Sequence, residues 1–416
     1  MGNLVYNKRK IINDPVFGFL NITSDLIYEL MEHPWFQRLR RIKQLGLTYF
    51  VYPGATHNRF QHSIGSAHLM KAALEVLSAK SLDISEKEKE AAIIAIMLHD
   101  IGHGPFSHAL ENSIVNNINH EIISSLFIEN LNKEFDDQLS LALEMFNNAY
   151  SRIFFHQLIS GHLDMDRMDY LRRDSFFTGV VEGTIGSERI IKMLDVENDN
   201  LVVESKGIYS VEKFLIARRL MYWQVYLHKT VISAEFLLIK ILQRAKFLAV
   251  RGSKLFASPY LNTFLTRKIT DKKVFQDDKN LLNEFSFLDD SDIISSVKVW
   301  MKHEDKVLSF LAKSLINRRL FKIEISDKKF SKDKTEKIIN QIAEKLGFSE
   351  EEANFIFCSD KFRNNAYSEE EGGIIIRYKN GEKKDIIEAS ELFDDSLLSK
   401  EIVRYFILYP KEVLLS

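Results

Sequence analysis

The 416-residue sequence holds a single cysteine, Cys358, which excludes an internal disulfide, and it has no CxxC or Cys/His zinc pattern. A reducing, cytoplasmic setting is the expectation that follows. Prolines number only 6, against 30 phenylalanines and 14 tyrosines, a balance that argues against disorder. Neither sign of charge prevails: 56 Lys and Arg against 58 Asp and Glu leave a net charge of -2. A broadly basic nucleic-acid-binding surface is therefore not expected, while a local basic pocket is compatible with the totals. Long apolar runs are also missing. The densest, Ala91–Leu98, fits a buried helix and is too short to span a membrane. The opening MGNLVYNKRKIINDPVFGFL has no apolar secretory core, and Tyr6 stands where an N-myristoylation signal has Ser or Thr. No membrane partner is expected.

What is present is mainly helix. Ser24–Glu32, His62–Lys80, Glu86–His99 and Val211–Phe247 carry apolar residues at three- and four-residue spacing. Tyr52-Pro53-Gly54 and Gly102-His103-Gly104-Pro105 read as turns between them. After about residue 250 the character changes. Charged stretches appear at Asp271–Lys279 and Ser326–Lys337, and short strand-like runs at Leu320–Ile325, Asn354–Cys358 and Gly373–Tyr378. Asn380-Gly381 between Ile374–Tyr378 and Lys383–Ile387 predicts a type I′ hairpin. The expected fold is mainly α: a helical body over 1–250 and a smaller α+β region over 251–416, to which oligomer contacts or regulation are assigned.

Of the 12 histidines, nine lie between His57 and His162, where even spreading would place about three. For any one of them a structural role is the first reading; the clustering is what points to metal or acid–base chemistry. His99-Asp100 closes the apolar run AAIIAIML, so a buried helix delivers an imidazole and a carboxylate side by side at its end. That pair suits a divalent metal. His62 begins one further helical segment and Asp166 lies in another, which together makes a site of two histidines and two aspartates from three segments.

On a helix, Asp166, Tyr170 and Asp174 recur at i, i+4 and i+8 and share a face, with Arg167 one step round. Asp164 reads as an N-cap and Asp169 as a surface partner of Arg172 or Arg173. In Gly102–His108 the glycines allow close backbone approach to a ligand. His103 and His108 read as acid or base groups on the phosphate side, Glu111 as a partner that raises the His108 pKa, and His120 as part of the same network.

These residues reproduce the H…HD…D signature of the HD-domain metal-dependent phosphohydrolases. Gln37–Gly46, Tyr52–Ser63, His99–His108, Asp164–Asp174 and Arg218–Lys229 further resemble the HD-type deoxynucleoside triphosphate triphosphohydrolases, which include the sterile-alpha-motif/HD enzyme of animals and its bacterial homologues. The resemblance covers roughly residues 10–245. It implies a metal site of His62, His99, Asp100 and Asp166, for Mn²⁺, Mg²⁺, Fe²⁺ or Co²⁺. It implies that His108 is the acid at the scissile bond, with Glu111 and His120 behind it and His103 on the phosphate. Arg59, Arg167 and Arg218 would hold the triphosphate, with Arg167 standing where the family often has Lys. Tyr170 and Asp174 would meet the deoxyribose, Gln44 and Leu45 its 3′ side, and Tyr222 and Tyr226 the base and sugar. Lys10, Asn13, Glu32, Gln37 and Arg40 match positions of a regulatory nucleotide site. Glu32 replaces the Asp that reads guanine there, so dGTP and dATP both stand as activators. A homo-oligomer is implied as well. The bland reading of Gln37 and Arg40 is that they stabilise the N-terminal fold.

The chemistry fits on its own terms, since a triphosphate carries about four negative charges, which arginines and a dication neutralise. Two other readings compete. One is a different HD phosphohydrolase, such as a nucleoside monophosphatase or a guanosine tetraphosphate hydrolase. The other is a nucleotide-sensing or weak single-stranded nucleic-acid-binding module using the same basic cleft.

Overall fold

The computed structural model describes residues 10–22, 24–106, 110, 113–115, 118–269, 271–364, 373–392 and 402–414. An antiparallel hairpin of β1 (Lys10–Asp14) and β2 (Gly18–Ile22) leads into α1 (Asp25–Glu32), which Ser24 caps as its side chain accepts the Ile27 N–H. The long α2 (Arg59–Ala79) starts at a capping box: Asn58 accepts the Gln61 N–H and Gln61 reaches back to Asn58. That box fixes His62 one turn into the helix. Ser85 and Glu88 form the same device ahead of α3 (Glu86–Leu98), whose Ala91–Leu98 run is buried apart from the half-buried Ile93. The helix stops at His99, so its apolar body sets His99 and Asp100 at its far end.

Asn119 caps α4 (His120–Glu134) and Asp164 caps α5 (Met165–Thr178), the latter as the sequence predicts. Helix α2 packs on both α3 and α5. Leu69, Met70, Ala73, Leu74 and Leu77 of α2 are fully or almost fully buried, as are Met165, Met168 and Leu171 of α5. Each large apolar side chain buried here contributes about 1.5–3 kcal/mol. The α2–α5 approach is tight at Gly65, where a Cβ would lie 2.0 Å from Asp169 Oδ1 and 2.2 Å from Arg173 Nη2.

The stretch read as one helical run, Val211–Phe247, is broken in two. α6 (Ile208–Met221) passes into a π turn at Tyr222–Tyr226, in which the Leu227 N–H donates to the Tyr222 carbonyl at 2.7 Å, and α7 (Lys229–Val250) restarts with His228 as its cap. Periodicity of apolar residues survives a one-residue insertion, so the break is invisible in the pattern; π turns concentrate at functional sites.

Beyond residue 250 helices continue, with α8 (Asp290–Trp300) and α9 (Lys306–Ile316), the latter packed on α7. Two small sheets follow. One has the order β3 (Leu194–Glu197), β4 (Asn200–Glu204), β7 (Ile375–Arg377), β8 (Lys383–Asp385); the other has the order β5 (Lys322–Ser326), β9 (Ile402–Tyr409), β6 (Cys358–Asn364). The Asn380-Gly381 hairpin is present as the β7–β8 pair, with Ile375 opposite Asp385, but its turn is not type I′. Gly381 has φ +86° while Asn380 keeps a negative φ, and the Gly381 N–H donates to the Tyr378 carbonyl at 3.0 Å, which makes a longer turn. β4 runs parallel to β7, so this sheet takes strands from both sides of residue 250. The strand expected at Asn354–Cys358 is instead helix over Glu350–Ile356, because Ser349 and Glu352 make a capping box there; the strand begins at Cys358. The fold class is as expected: mainly α, with a smaller α+β C-terminal region.

Candidate functional site

Three helices converge at His62, His99 and Asp166. His62 Nε2 lies 3.3 Å from His99 Nε2 and 3.0 Å from Asp166 Oδ1, and His99 Nε2 lies 3.5 Å from the same oxygen. Ligand atoms of the three residues all fall within 4.8 Å of one another. The other ring nitrogens are committed elsewhere. His62 Nδ1 is 2.7 Å from Asp169 Oδ2, and His99 Nδ1 is 2.6 Å from the Ile96 carbonyl. Those partners are acceptors, so each Nδ1 carries the hydrogen and each Nε2 turns a lone pair inward. Two lone pairs and a carboxylate oxygen facing one another form an acceptor-only cluster, which a cation resolves. A proton can play that part: burial disfavours charge on His62, yet hydrogen bonds to Asp166 and Asp169 push its pKa up to about 10. Burial likewise opposes ionisation of Asp166, and hydrogen bonds from His62 and His99 overcome it, holding the carboxyl far below its ordinary range. The donor set therefore fits a divalent metal.

Asp100 borders this cluster and belongs to a second. Its Oδ1 is 3.3 Å from His99 Nε2, its Oδ2 3.7 Å from His62 Nε2, and its carboxylate pairs with the buried Arg59 guanidinium. Asp100, His103 and His120 group in turn. His103 Nε2 is 3.2 Å from Asp100 Oδ1, and its ring stacks on His120 with centroids 3.7 Å apart. Burial, followed by the charge of Arg59, depresses the His103 pKa well below its ordinary value, which keeps the imidazole neutral. His108 and Glu111 lie outside the described residues.

The substrate residues expected from the sequence lie on or beside α2, α5 and α6. Gln44 and Leu45 sit beside the start of α2: the Gln44 N–H donates to the His57 carbonyl and the Arg59 N–H to the Ile42 carbonyl, each at 3.0 Å. Arg167 donates to the Gly161 carbonyl and lies 3.7 Å from Asp164. Tyr170 and Tyr226 meet edge to face at 6.1 Å, Tyr222 and Tyr226 at 5.3 Å, and the Arg218 guanidinium lies 5.8 Å from the Tyr222 ring. Asp174 is held on both oxygens, by His57 Nε2 and by the Tyr226 hydroxyl, each at 2.7 Å.

At the N-terminal hairpin, Lys10 pairs with Glu32 at 2.5 Å, and Arg40 donates to Gln37 at 2.7 Å while covering the Phe60 ring. Gln37 also donates to the Met31 carbonyl at 2.8 Å. Asn13 lies on β1 opposite Phe19. Gln37 and Arg40 are thus both engaged in contacts within the N-terminal part of the fold.

Two readings change. Asp169 is not a surface residue: it is fully buried, clamps Arg173 with both oxygens at 2.8 Å and orients His62. Arg173 in turn pairs with buried Asp14 of β1 at 2.8 Å. The sequence left Arg172 and Arg173 both open as its partner, and Arg173, at i+4, pairs with it; the burial follows from Gly65 on the facing helix, which no periodicity reveals. Gly102 also serves a different purpose from the one expected. A Cβ there would lie 2.3 Å from the His120 carbonyl and the Ser124 nitrogen, so the glycine admits the start of α4, and with it His120, to the cluster.

The model of the HD domain matches residues 59–174, and that of the HD-associated region matches 185–246. The crystal structure of a phosphohydrolase from Bacteroides thetaiotaomicron superposes with a TM-score of 0.94 at 52% identity, covering 97% of this chain and all of that one. The Bacillus subtilis protein YwfO is 35% identical over 323 residues, 76% of this chain and 72% of its own. The deoxynucleoside triphosphate triphosphohydrolase SAMHD1 homolog of Dictyostelium discoideum is 33% identical over 252 residues, which is 55% of this chain and 48% of that protein. The chain thus spans about half the length of that triphosphohydrolase relative. From the helices that carry the histidines to the associated region behind them, the chain belongs to the HD-domain phosphohydrolase family, within which the deoxynucleoside triphosphate triphosphohydrolases fall.

Proposed function

We propose that the protein hydrolyses deoxynucleoside triphosphates, dGTP by preference, to a deoxynucleoside and intact tripolyphosphate. The observation that supports this reading is the acceptor-only cluster of His62, His99 and Asp166, beside which Arg59 pairs with Asp100 and Arg218 lies against the linked rings of Tyr222, Tyr226 and Tyr170. His62, His99, Asp100 and Asp166 would hold a divalent metal; Mn²⁺, Mg²⁺, Fe²⁺ and Co²⁺ all suit the set. Once bound, such an ion lowers the pKa of water and polarises the phosphoryl group.

The chain's own residues do the rest. Arg59, Arg167 and Arg218 neutralise and orient the triphosphate. Neutral His103, stacked on His120, presents a ring nitrogen to the phosphates without adding charge. Water attacks the α-phosphorus, the bond to the deoxyribose 5′-oxygen breaks, and His108, backed by Glu111, supplies the proton to that oxygen. Asp174, fixed by His57 and Tyr226, takes the sugar hydroxyl beside Gln44 and Leu45. Tyr170 packs on the sugar and leaves no room for a 2′-hydroxyl, a difference of about 1–3 kcal/mol. Tyr222 and Tyr226 line the base. A homo-oligomer activated by dGTP or dATP at Lys10, Asn13, Glu32, Gln37 and Arg40 completes the reading, in a reducing cytoplasm that suits the free Cys358. No helix among the described residues is long and apolar enough to cross a membrane.

Product analysis tests this. The purified protein with Mn²⁺ is offered each of the four dNTPs alone and in pairs. Deoxynucleoside and tripolyphosphate form in equal amounts, and Asp166→Ala forms neither; synergy within a pair identifies the activator. Absence of tripolyphosphate under every pairing refutes the proposal, and orthophosphate or pyrophosphate as product points to another hydrolase of the family.

A further inference from the structure

We propose that Asp290 is a positioning residue for the catalytic cleft: a buried carboxylate that fixes two cleft segments against each other from the C-terminal part of the chain. Its side chain is only 6% exposed. Oδ2 accepts the Lys43 N–H at 3.0 Å, and Oδ1 accepts the Phe106 N–H at 3.2 Å. Lys43 immediately precedes Gln44, and its segment is already joined on the other side to His57–Arg59. Phe106 ends the turn that carries His103. One carboxylate therefore spans the segment beside the sugar residues and the loop beside the metal cluster.

Neighbouring residues strengthen this reading. Arg38, fully buried between the rings of Phe127 and Phe285, donates to the Ile101 carbonyl at 2.7 Å and to the Leu288 carbonyl at 3.2 Å. Arg41 pairs with Asp289 at 2.5 Å. Residues 288–290 thus grip 38–43 and 101–106 at several points. Phe106 has φ +51°, a left-handed conformation that costs a non-glycine residue of order 1 kcal/mol and persists only where surrounding bonds hold it. Helix capping does not account for the carboxylate. Asp289 is the cap of α8, with Asp292 as its box partner, while both Asp290 oxygens are spent outside the helix.

The activity arm of the test rests on the hydrolase reading above; the exchange arm does not. Asp290→Ala and Asp290→Asn are compared with the unaltered protein by hydrogen exchange in peptides covering 40–46 and 101–106, by melting temperature, and by kcat and KM for a dNTP with Mn²⁺. In Asp290→Ala both peptides exchange faster while the rest of α8 stays protected. Its kcat falls about 10- to 100-fold with KM within about threefold, the size expected of sub-ångström misplacement of reacting groups. Asn keeps one acceptor oxygen and restores part of the rate. The proposal is overturned if neither peptide or only one loosens. It is equally overturned if exchange rises throughout the chain and kcat falls only with the melting temperature, Asn being no better than Ala. A protein that turns over no dNTP at all removes the hydrolase reading and leaves the exchange arm to decide the positioning role.

Discussion

The two sides of His62 place an aspartate on each ring nitrogen, yet they are built differently. On the Nε2 side stands Asp166, 30% exposed, with one oxygen shared between His62 and His99. On the Nδ1 side stands Asp169, fully buried, with Arg173 and then Asp14 behind it. The Asp169 side is a closed account of charge: carboxylate, guanidinium, carboxylate. The Asp166 side is open and calls for a cation. Two aspartates three residues apart on one helix thus differ because one faces a packed helix and the other a cleft. A site of this kind needs both, one to bind and one to hold the imidazole tautomer in place.

Substitution at the two positions separates the roles. Asp166→Ala abolishes hydrolysis and metal retention, with a loss well beyond the roughly 10- to 100-fold typical of an outer partner, and lowers stability by about 1.5–3 kcal/mol, the worth of a hydrogen bond to a charged group, because His62 and His99 lose the carboxylate they bond. Asp169→Ala lowers metal affinity by that 10- to 100-fold and also destabilises by about 3–5 kcal/mol, since Arg173 is left buried with half its partners. Metal content by atomic absorption and urea unfolding read the two effects. Equal stability losses for the two variants would break the contrast.

Legibility in the sequence divides along the same line. His62, His99, Asp100 and Asp166 were readable because they sit at helix beginnings and ends marked by caps and an apolar run, and because their spacing resembles a known family. The face shared by Asp166, Tyr170 and Asp174 was readable from a period of four. What supports them was not. Asp14, Asp169 and Arg173 meet only because α5 closes on Gly65 and on β1, and Asp290 reaches Lys43 from 247 residues away. Such contacts are tertiary, and neither period nor local propensity encodes them. The π turn at Tyr222–Tyr226 was hidden because it leaves the apolar pattern intact.

The Asp174 end of α5 sharpens the comparison at smaller amplitude. Its carboxylate is also partnered on both oxygens, by His57 and the Tyr226 hydroxyl rather than by a guanidinium, and a sugar hydroxyl can join them. Tyr226→Phe removes one of them, at about 1.5 kcal/mol for a hydrogen bond to a charged group. The preference for dNTP over the matching rNTP, measured as a ratio of kcat/KM, then narrows about tenfold while metal content stays constant. An unchanged ratio would place sugar selection elsewhere.

Glu88 supplies the control, a satisfied carboxylate remote from the cleft. It accepts from Arg152 at 2.7 Å, from Tyr150 at 2.9 Å and from the Ser85 nitrogen and hydroxyl at 2.9 and 2.8 Å. Partial burial opposes its charge, but the bonds from Ser85, Arg152 and Tyr150 hold its pKa at about 2, below the ordinary 4.5. A carboxyl depressed on folding stabilises fully above its unfolded pKa, and the contribution fades as pH falls through the folded one. Glu88→Gln therefore lowers stability by about 1 kcal/mol at pH 7, with activity and metal content intact. The gap between the two proteins in urea unfolding shrinks between about pH 5 and pH 2, because acid removes from one what the substitution removed from the other. Taking the difference cancels every other carboxylate that titrates in that window. A gap that stayed constant down to pH 3 would mean that packing rather than charge holds Glu88 in place, and a loss of activity at neutral pH would mean that closed networks far from His62 also tune the site.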